Sequence, residues 1–142
     1  MGAMSSAEQS IANLVFRYAR LMDAGDFDGV AALFERGTYV GMPGGPPLAD
    51  LLRQTVLLHD GQMGTHHVTT NLEIELDDDA QGATARSYFS VFQQIGEFPL
   101  QPIICGRYTD RMVLGTDGWH FAERKIDMTL KGDLSHHLSY RP

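Results

Sequence analysis

The spacing of apolar residues changes once along this chain, and that change limits the folds open to it. In the first part they recur at helical intervals. Ile11, Leu14, Val15, Tyr18, Leu21 and Met22 mark one face of a helix running from about Ser6 to Asp23. Gly25 suits the left-handed position after it, and Asp26 can cap the next helix. Phe27, Val30, Ala31 and Phe34 carry a second, shorter stripe, and Thr38 to Gly41 reads as a short strand. Pro47 can begin a third helix, which the pattern of Leu48, Leu51, Leu52, Thr55 and Leu58 carries to about Asp60. From residue 66 onward the period is two. Strands are predicted over His66 to Leu76, Ala83 to Ile95, Ile103 to Leu114 and Trp119 to Leu130, with turns at Asp77-Asp78-Asp79 and Gly115-Thr116-Asp117-Gly118. Three helices segregated from an antiparallel meander define an α+β fold, and a long curved sheet under helices leaves a hollow between the layers.

With 142 residues the chain has the size of one domain, and 43% apolar residues suffice for a core. The net charge of −7 argues against nucleic acid and against an anionic membrane surface. No apolar run reaches the length of a membrane span. The single Cys105 forms no internal disulfide, which points to a reducing compartment, taken as the cytoplasm. The opening residues lack the charge and apolar run of a signal peptide, and Met1 to Ala3 read as an expression scar. The adjacent pairs His66-His67 and His136-His137 do not have the spacing of a metal site, and no glycine fingerprint marks a nucleotide, so neither metal nor cofactor is expected.

Alternation within the strands selects candidate site residues. On Ala83 to Ile95 one face carries Phe89, Val91 and Gln93, the last a polar group on an otherwise small or apolar face. On the next strand Ile104, Tyr108, Asp110 and Met112 share a face, with Asp110 expected to form a salt bridge with Arg124. Tyr18 and Tyr39 can offer hydroxyls to a ligand, whereas Tyr88, Trp119 and Phe121 read as packing residues. A histidine titrates near neutrality and suits proton transfer. Strict alternation puts His66, not His67, on the apolar side of its strand; a β-bulge between His67 and Leu72 would reset the phase and turn His67 inward.

Four segments give the chain a family resemblance: Arg17 to Asp28, Thr65 to Asn71, Gly106 to Asp110, and Asp117 to Phe121 followed by Arg124. In this order they resemble the SnoaL-like domains of the nuclear transport factor 2-like superfamily, relatives of scytalone dehydratase, polyketide cyclases, ketosteroid isomerase and the β subunits of ring-hydroxylating dioxygenases. The resemblance covers about Ala7 to Leu130. It implies a cone-shaped, cystatin-like α+β barrel: a curved antiparallel or mixed sheet packed on three N-terminal helices. Residues 7–131 form the domain, residues 1–6 an N-terminal extension and residues 132–142 a tail. The resemblance also implies that Asp23 pairs with a pocket histidine, that this histidine is His67, and that Asn71 lies near it. Gln93 stands where scytalone dehydratase-like proteins have a second histidine, so a two-histidine mechanism is incomplete. The function implied is binding of a small apolar or aromatic molecule. The chemistry expected is cofactor-independent lyase or isomerase action by proton abstraction on a hydroxy- or keto-compound. A non-catalytic binding module and an accessory subunit are the alternatives. A homodimer is expected, because members of this fold pair through the outer sheet face.

Overall fold

A computed structural model describes residues 5–142; the proposed expression scar lies outside them. Helix α1 spans Ala7–Asp23 and starts where the Ser6 side chain accepts a hydrogen bond from the Gln9 amide at 3.1 Å. It buries Ile11, Val15, Tyr18, Ala19 and Met22, close to the predicted stripe. Gly25 follows at φ +68°, and Asp26 caps α2 (Phe27–Leu33) by accepting from the Gly29 amide at 2.8 Å. Strand β1 (Thr38–Tyr39) then turns through Val40 and Gly41, both at positive φ, into β2 (Met42–Pro43). The predicted single strand is thus a tight hairpin.

Helix α3 (Pro46–Thr55) ends five residues earlier than its pattern predicts. Val56 is already extended and bridges Leu138, and the Leu57 amide donates to the His137 carbonyl at 2.8 Å. Backbone partners from the C-terminal end therefore outcompete one more helical turn, which the local apolar pattern cannot reveal.

The long strands are β3 (Thr65–Leu76), β4 (Gly82–Ile95), β5 (Phe98–Gly115) and β6 (Gly118–Lys131). The sheet order is β2-β1-β6-β5-β4-β3, with β1 parallel to β6 and all other neighbours antiparallel. The sheet is mixed and stays open, with β2 and β3 at its edges. Strand β5 begins five residues before its predicted start, running through Pro99 and Pro102. Its pairing with β6 reaches only to Ile104, so this extension has β4 on one side alone, where proline is tolerated.

The helices cover one side of the sheet, and the core between them includes Ile11, Val15, Phe34, Leu48, Val91 and Phe121. Gly106 on β5 shows how tightly one part is built. It sits opposite Phe89, whose ring lies over it and stacks on Tyr108 at 4.4 Å between centroids. A Cβ at this position would come within 2.3 Å of the Asp127 carbonyl oxygen and 2.6 Å of the Phe89 ring. Gly106→Ala is therefore expected to destabilise the fold by about 1–3 kcal/mol, as overpacking does. Urea unfolding reads this; an unchanged midpoint would mean that the ring is free to move.

Candidate functional site

A cavity of about 520 Å³ lies between the helices and the sheet, within the usual range for a small-molecule site. Of the predicted ligand contacts, Tyr18, Tyr39, Phe89, Val91, Ile104 and Tyr108 line it. Met22, Leu51, Leu52 and Thr55 close the helical side, while Ile126 and Met128 extend the wall onto β6. The last two follow Arg124 at intervals of two on the same face of β6, a signal that was available in the sequence. The lining is completed by Val40, Gly41 and Met42 from the β1–β2 hairpin and by Leu134, His137, Leu138 and Tyr140 from the segment after β6.

His67 reaches the cavity because β3 contains the anticipated bulge. Pairing with β4 slips between Thr70 and Glu73, and Asn71 takes φ +53° there. Asparagine tolerates this left-handed conformation better than most side chains. Before the bulge His67 turns inward and His66 is exposed; after it Leu72, Ile74 and Leu76 turn inward instead. The same step corrects the expectation for Asn71. Its side chain is exposed and does not line the cavity, because the residue serves the bulge itself.

Asp23 ends α1, where the helix dipole disfavours an anion. Its carboxylate is compensated by β3. Thr65 Oγ1 donates to it at 2.9 Å, the His67 amide at 3.0 Å, and His67 Nδ1 at 2.5 Å. Burial alone would raise its pKa. The hydrogen bond from the His67 ring, with that ring's charge and the amide and Thr65 donors, outweighs burial and holds the carboxyl below its ordinary 3.8. An ionised carboxylate only accepts, so Nδ1 carries a proton and Nε2 is the ring nitrogen left to exchange one with a ligand. Asp23 itself does not line the cavity; it stands behind His67.

Two further expectations need correction. Gln93 is fully buried but does not line the cavity. Its Nε2 donates to the Met63 carbonyl at 3.1 Å and to the His136 carbonyl at 3.0 Å, so the amide nitrogen is engaged by backbone, while Oε1 is buried without a partner. Met112 is also fully buried away from the cavity, further along β5 than the Asp110–Arg124 pair.

That pair forms the base of the site. Arg124 Nε and Nη2 donate to the two Asp110 oxygens at 2.7 and 2.8 Å, and both side chains are completely buried. The guanidinium lies 3.8 Å from the Tyr108 ring centroid and 4.4 Å from that of Tyr18. Tyr18 and Tyr39 share a hydroxyl–hydroxyl hydrogen bond of 2.7 Å. Burial raises the pKa of Tyr18 and pushes Tyr39 and Tyr108 well above 10, so all three remain neutral phenols able to donate.

His137 is the site residue that sequence reasoning missed. It is buried, it lines the cavity, and its ring centroid lies 6.0 Å from that of His67. Burial, reinforced by His67, lowers its pKa from 6.5 to about 4. The unfolded chain therefore binds this proton near pH 6.5 and the folded chain only near pH 4. Stability is full above the upper value and falls as pH drops between the two, by about 1.4 kcal/mol per unit. Urea midpoints at about pH 7.5 and pH 5 are expected to differ less in His137→Phe than in the wild type. Equal differences would show that the ring titrates normally.

Among the described residues, no group of three His, Cys, Asp or Glu side chains is placed to hold a metal ion, and no helix is long and apolar enough to cross a membrane. Comparison with curated proteins gives no match. Among solved structures, the chain is similar to Rv3472, a function-unknown protein from Mycobacterium tuberculosis, with 26% identity, a TM-score of 0.68, and coverage of 85% of this chain and 75% of that one. It is similar to an NTF2-like protein with a cystatin-like fold from Novosphingobium aromaticivorans, at 21% identity and TM-score 0.71 over 92% and 86% of the two chains. A provisionally assigned scytalone dehydratase from the same organism matches at 23% identity and TM-score 0.71, over 89% and 86%. The last two likenesses concern the fold alone. A family model described as SnoaL-like domain matches residues 3–125, most of the chain, and the protein belongs to the SnoaL-like domain family.

Proposed function

We propose that this protein binds a small apolar or aromatic hydroxy- or keto-compound and acts on it as a cofactor-independent lyase or isomerase. One observation carries the reading: His67 Nδ1 is held by the Asp23 carboxylate at 2.5 Å, in a residue that also faces an apolar cavity. Such a dyad is a general base with its orienting carboxylate. His67 Nε2 removes a proton beside a carbonyl, Asp23 offsets the imidazolium that forms, and neutral tyrosine hydroxyls at the cavity wall donate to the developing oxyanion.

Incubation of the protein in D2O with a panel of apolar ketones and β-hydroxyketones tests this. Deuterium is expected to enter beside the carbonyl, with loss of water where a β-hydroxyl is present. Tight binding of panel members with no exchange in any of them would reject the enzyme and favour a ligand-sequestering module. The placement of Gln93 outside the cavity lining, with its Nε2 engaged by backbone, favours that second reading. A homodimer through the outer sheet face belongs to the same proposal. There Tyr88 is half exposed beneath the Arg107 guanidinium. Sedimentation of Tyr88→Glu is expected to show monomer where the wild type shows dimer, and a monomeric wild type would reject this part.

A further inference from the structure

The residues after β6 are not a loose end. The Asp133 carboxylate accepts from both the amide and the hydroxyl of Ser135, and the His137 and Leu138 amides donate to the Leu134 carbonyl at 3.0 and 2.9 Å. This single turn is docked by the Val56–Leu138 bridge and by the Ser139 amide, which donates to the Thr55 carbonyl at 2.9 Å. The His136 carbonyl receives Gln93 Nε2 at 3.0 Å and His59 Nε2 at 2.8 Å, and the His136 ring stacks on Phe98 at 4.2 Å. The outcome is that Leu134, His137 and Leu138 face the cavity together. The two leucines suit an apolar wall. The histidine does not, since its Nδ1 is buried without a hydrogen-bond partner. A group that costs stability at a cavity wall is a candidate for function.

We infer that residues 133–140 form a strap completing the reaction chamber, that His137 is its catalytic hydrogen-bond donor to the substrate oxygen, and that Gln93 is the positioning residue that latches the strap. This rests on the proton-abstraction reading. In that reaction His67 Nε2 takes the proton from the carbon beside the carbonyl. The C–H electron pair becomes the enolate double bond, and the carbonyl π pair moves onto oxygen. That oxygen accepts a hydrogen bond from the His137 ring N–H. When the enolate collapses and expels a β-hydroxyl, His67 returns its proton to it, water leaves, and His67 is neutral again. His137 stays uncharged throughout, because burial and the nearby His67 disfavour its protonation. Gln93 thus supports the chamber from the strand position that lacks a second histidine, while the tail supplies one.

The full chain, uniformly labelled with 15N, is titrated with 2-naphthol as an enolate-like probe. In the wild type, ring nitrogens of both His67 and His137 are expected to shift on binding. In Gln93→Leu, the His137 and Ser139 amides are expected to exchange at least about tenfold faster and the probe to bind about tenfold more weakly, as loss of one or two hydrogen bonds implies. His137→Gln, which keeps a donor, is expected to retain more probe affinity than His137→Phe. A shift at His67 with none at His137 overturns the catalytic assignment. Unchanged amide exchange in Gln93→Leu overturns the latch. If that variant does not fold, the wild-type Gln93 side-chain amide serves instead: protection supports the latch and free exchange overturns it. A silent response at both rings removes the proton-abstraction reading and this inference with it.

Discussion

Asp110→Ala is expected to lower the unfolding free energy by about 3–5 kcal/mol, a large part of the 5–15 kcal/mol typical of a domain. Both members of the Asp110–Arg124 pair are completely buried and joined by two hydrogen bonds. Removing the carboxylate strands a guanidinium that burial has already desolvated, and one of its nitrogens, Nη1, has no hydrogen-bond partner even now. The aromatic rings of Tyr108, Tyr18 and Phe121 around it recover part of the cost through their π faces, but they cannot replace a carboxylate. The double variant Asp110→Leu with Arg124→Met is expected to be far less damaged than Asp110→Ala, because two apolar side chains leave no stranded charge. Urea denaturation of Asp110→Leu, Arg124→Met and the double supplies the cycle. A loss below about 1 kcal/mol in Asp110→Ala would place the pair in contact with water and dissolve the rigid base that supports Tyr18 and Tyr108.

The second large effect is on turnover. His67→Ala is expected to reduce deuterium exchange into a carbonyl substrate by about 10²–10⁴-fold, the usual contribution of a positioned base. Asp23→Asn is expected to fall within the same range. The ring would keep a neighbour able to accept from Nδ1, but the charge that offsets the imidazolium would be gone. Asp23 lies behind His67 and does not line the cavity, so the loss is expected in kcat with KM little changed. A raised KM at constant kcat would instead make Asp23 a binding group. Because the Asp23 carboxyl titrates below its ordinary 3.8 in the folded protein, its contribution to stability is present above the unfolded value and is lost as pH falls through the lower, folded one.

The helices and strands were legible because their signals are local. Ser6, Gly25 and Asp26 mark helix ends by their own chemistry, and alternation along β4 and β5 correctly turned Phe89, Val91, Ile104 and Tyr108 to one side. His67 was legible through the family resemblance alone: alternation pointed to His66, and the bulge that turns His67 inward depends on how β3 pairs with β4. Asn71 shows the converse: a residue that looked like a ligand contact is used by the backbone. Gln93 and Met112 lie on the predicted inner face, yet that face is longer than the cavity, and period counting cannot say where along it the hollow stops.

The chain alone determined the α+β order, the inward faces of the long strands and the pairing of Asp110 with Arg124, since periodicity and charge complementarity act over short or regular spacings. Tertiary structure decided where α3 ends, which atoms Gln93 holds, and that His137 stands 6.0 Å from His67. Those outcomes depend on backbone hydrogen bonds between segments some eighty residues apart, such as Ser139 to Thr55, and on which groups are left without water once the layers close. Neither a repeat nor a propensity along the chain encodes such a meeting.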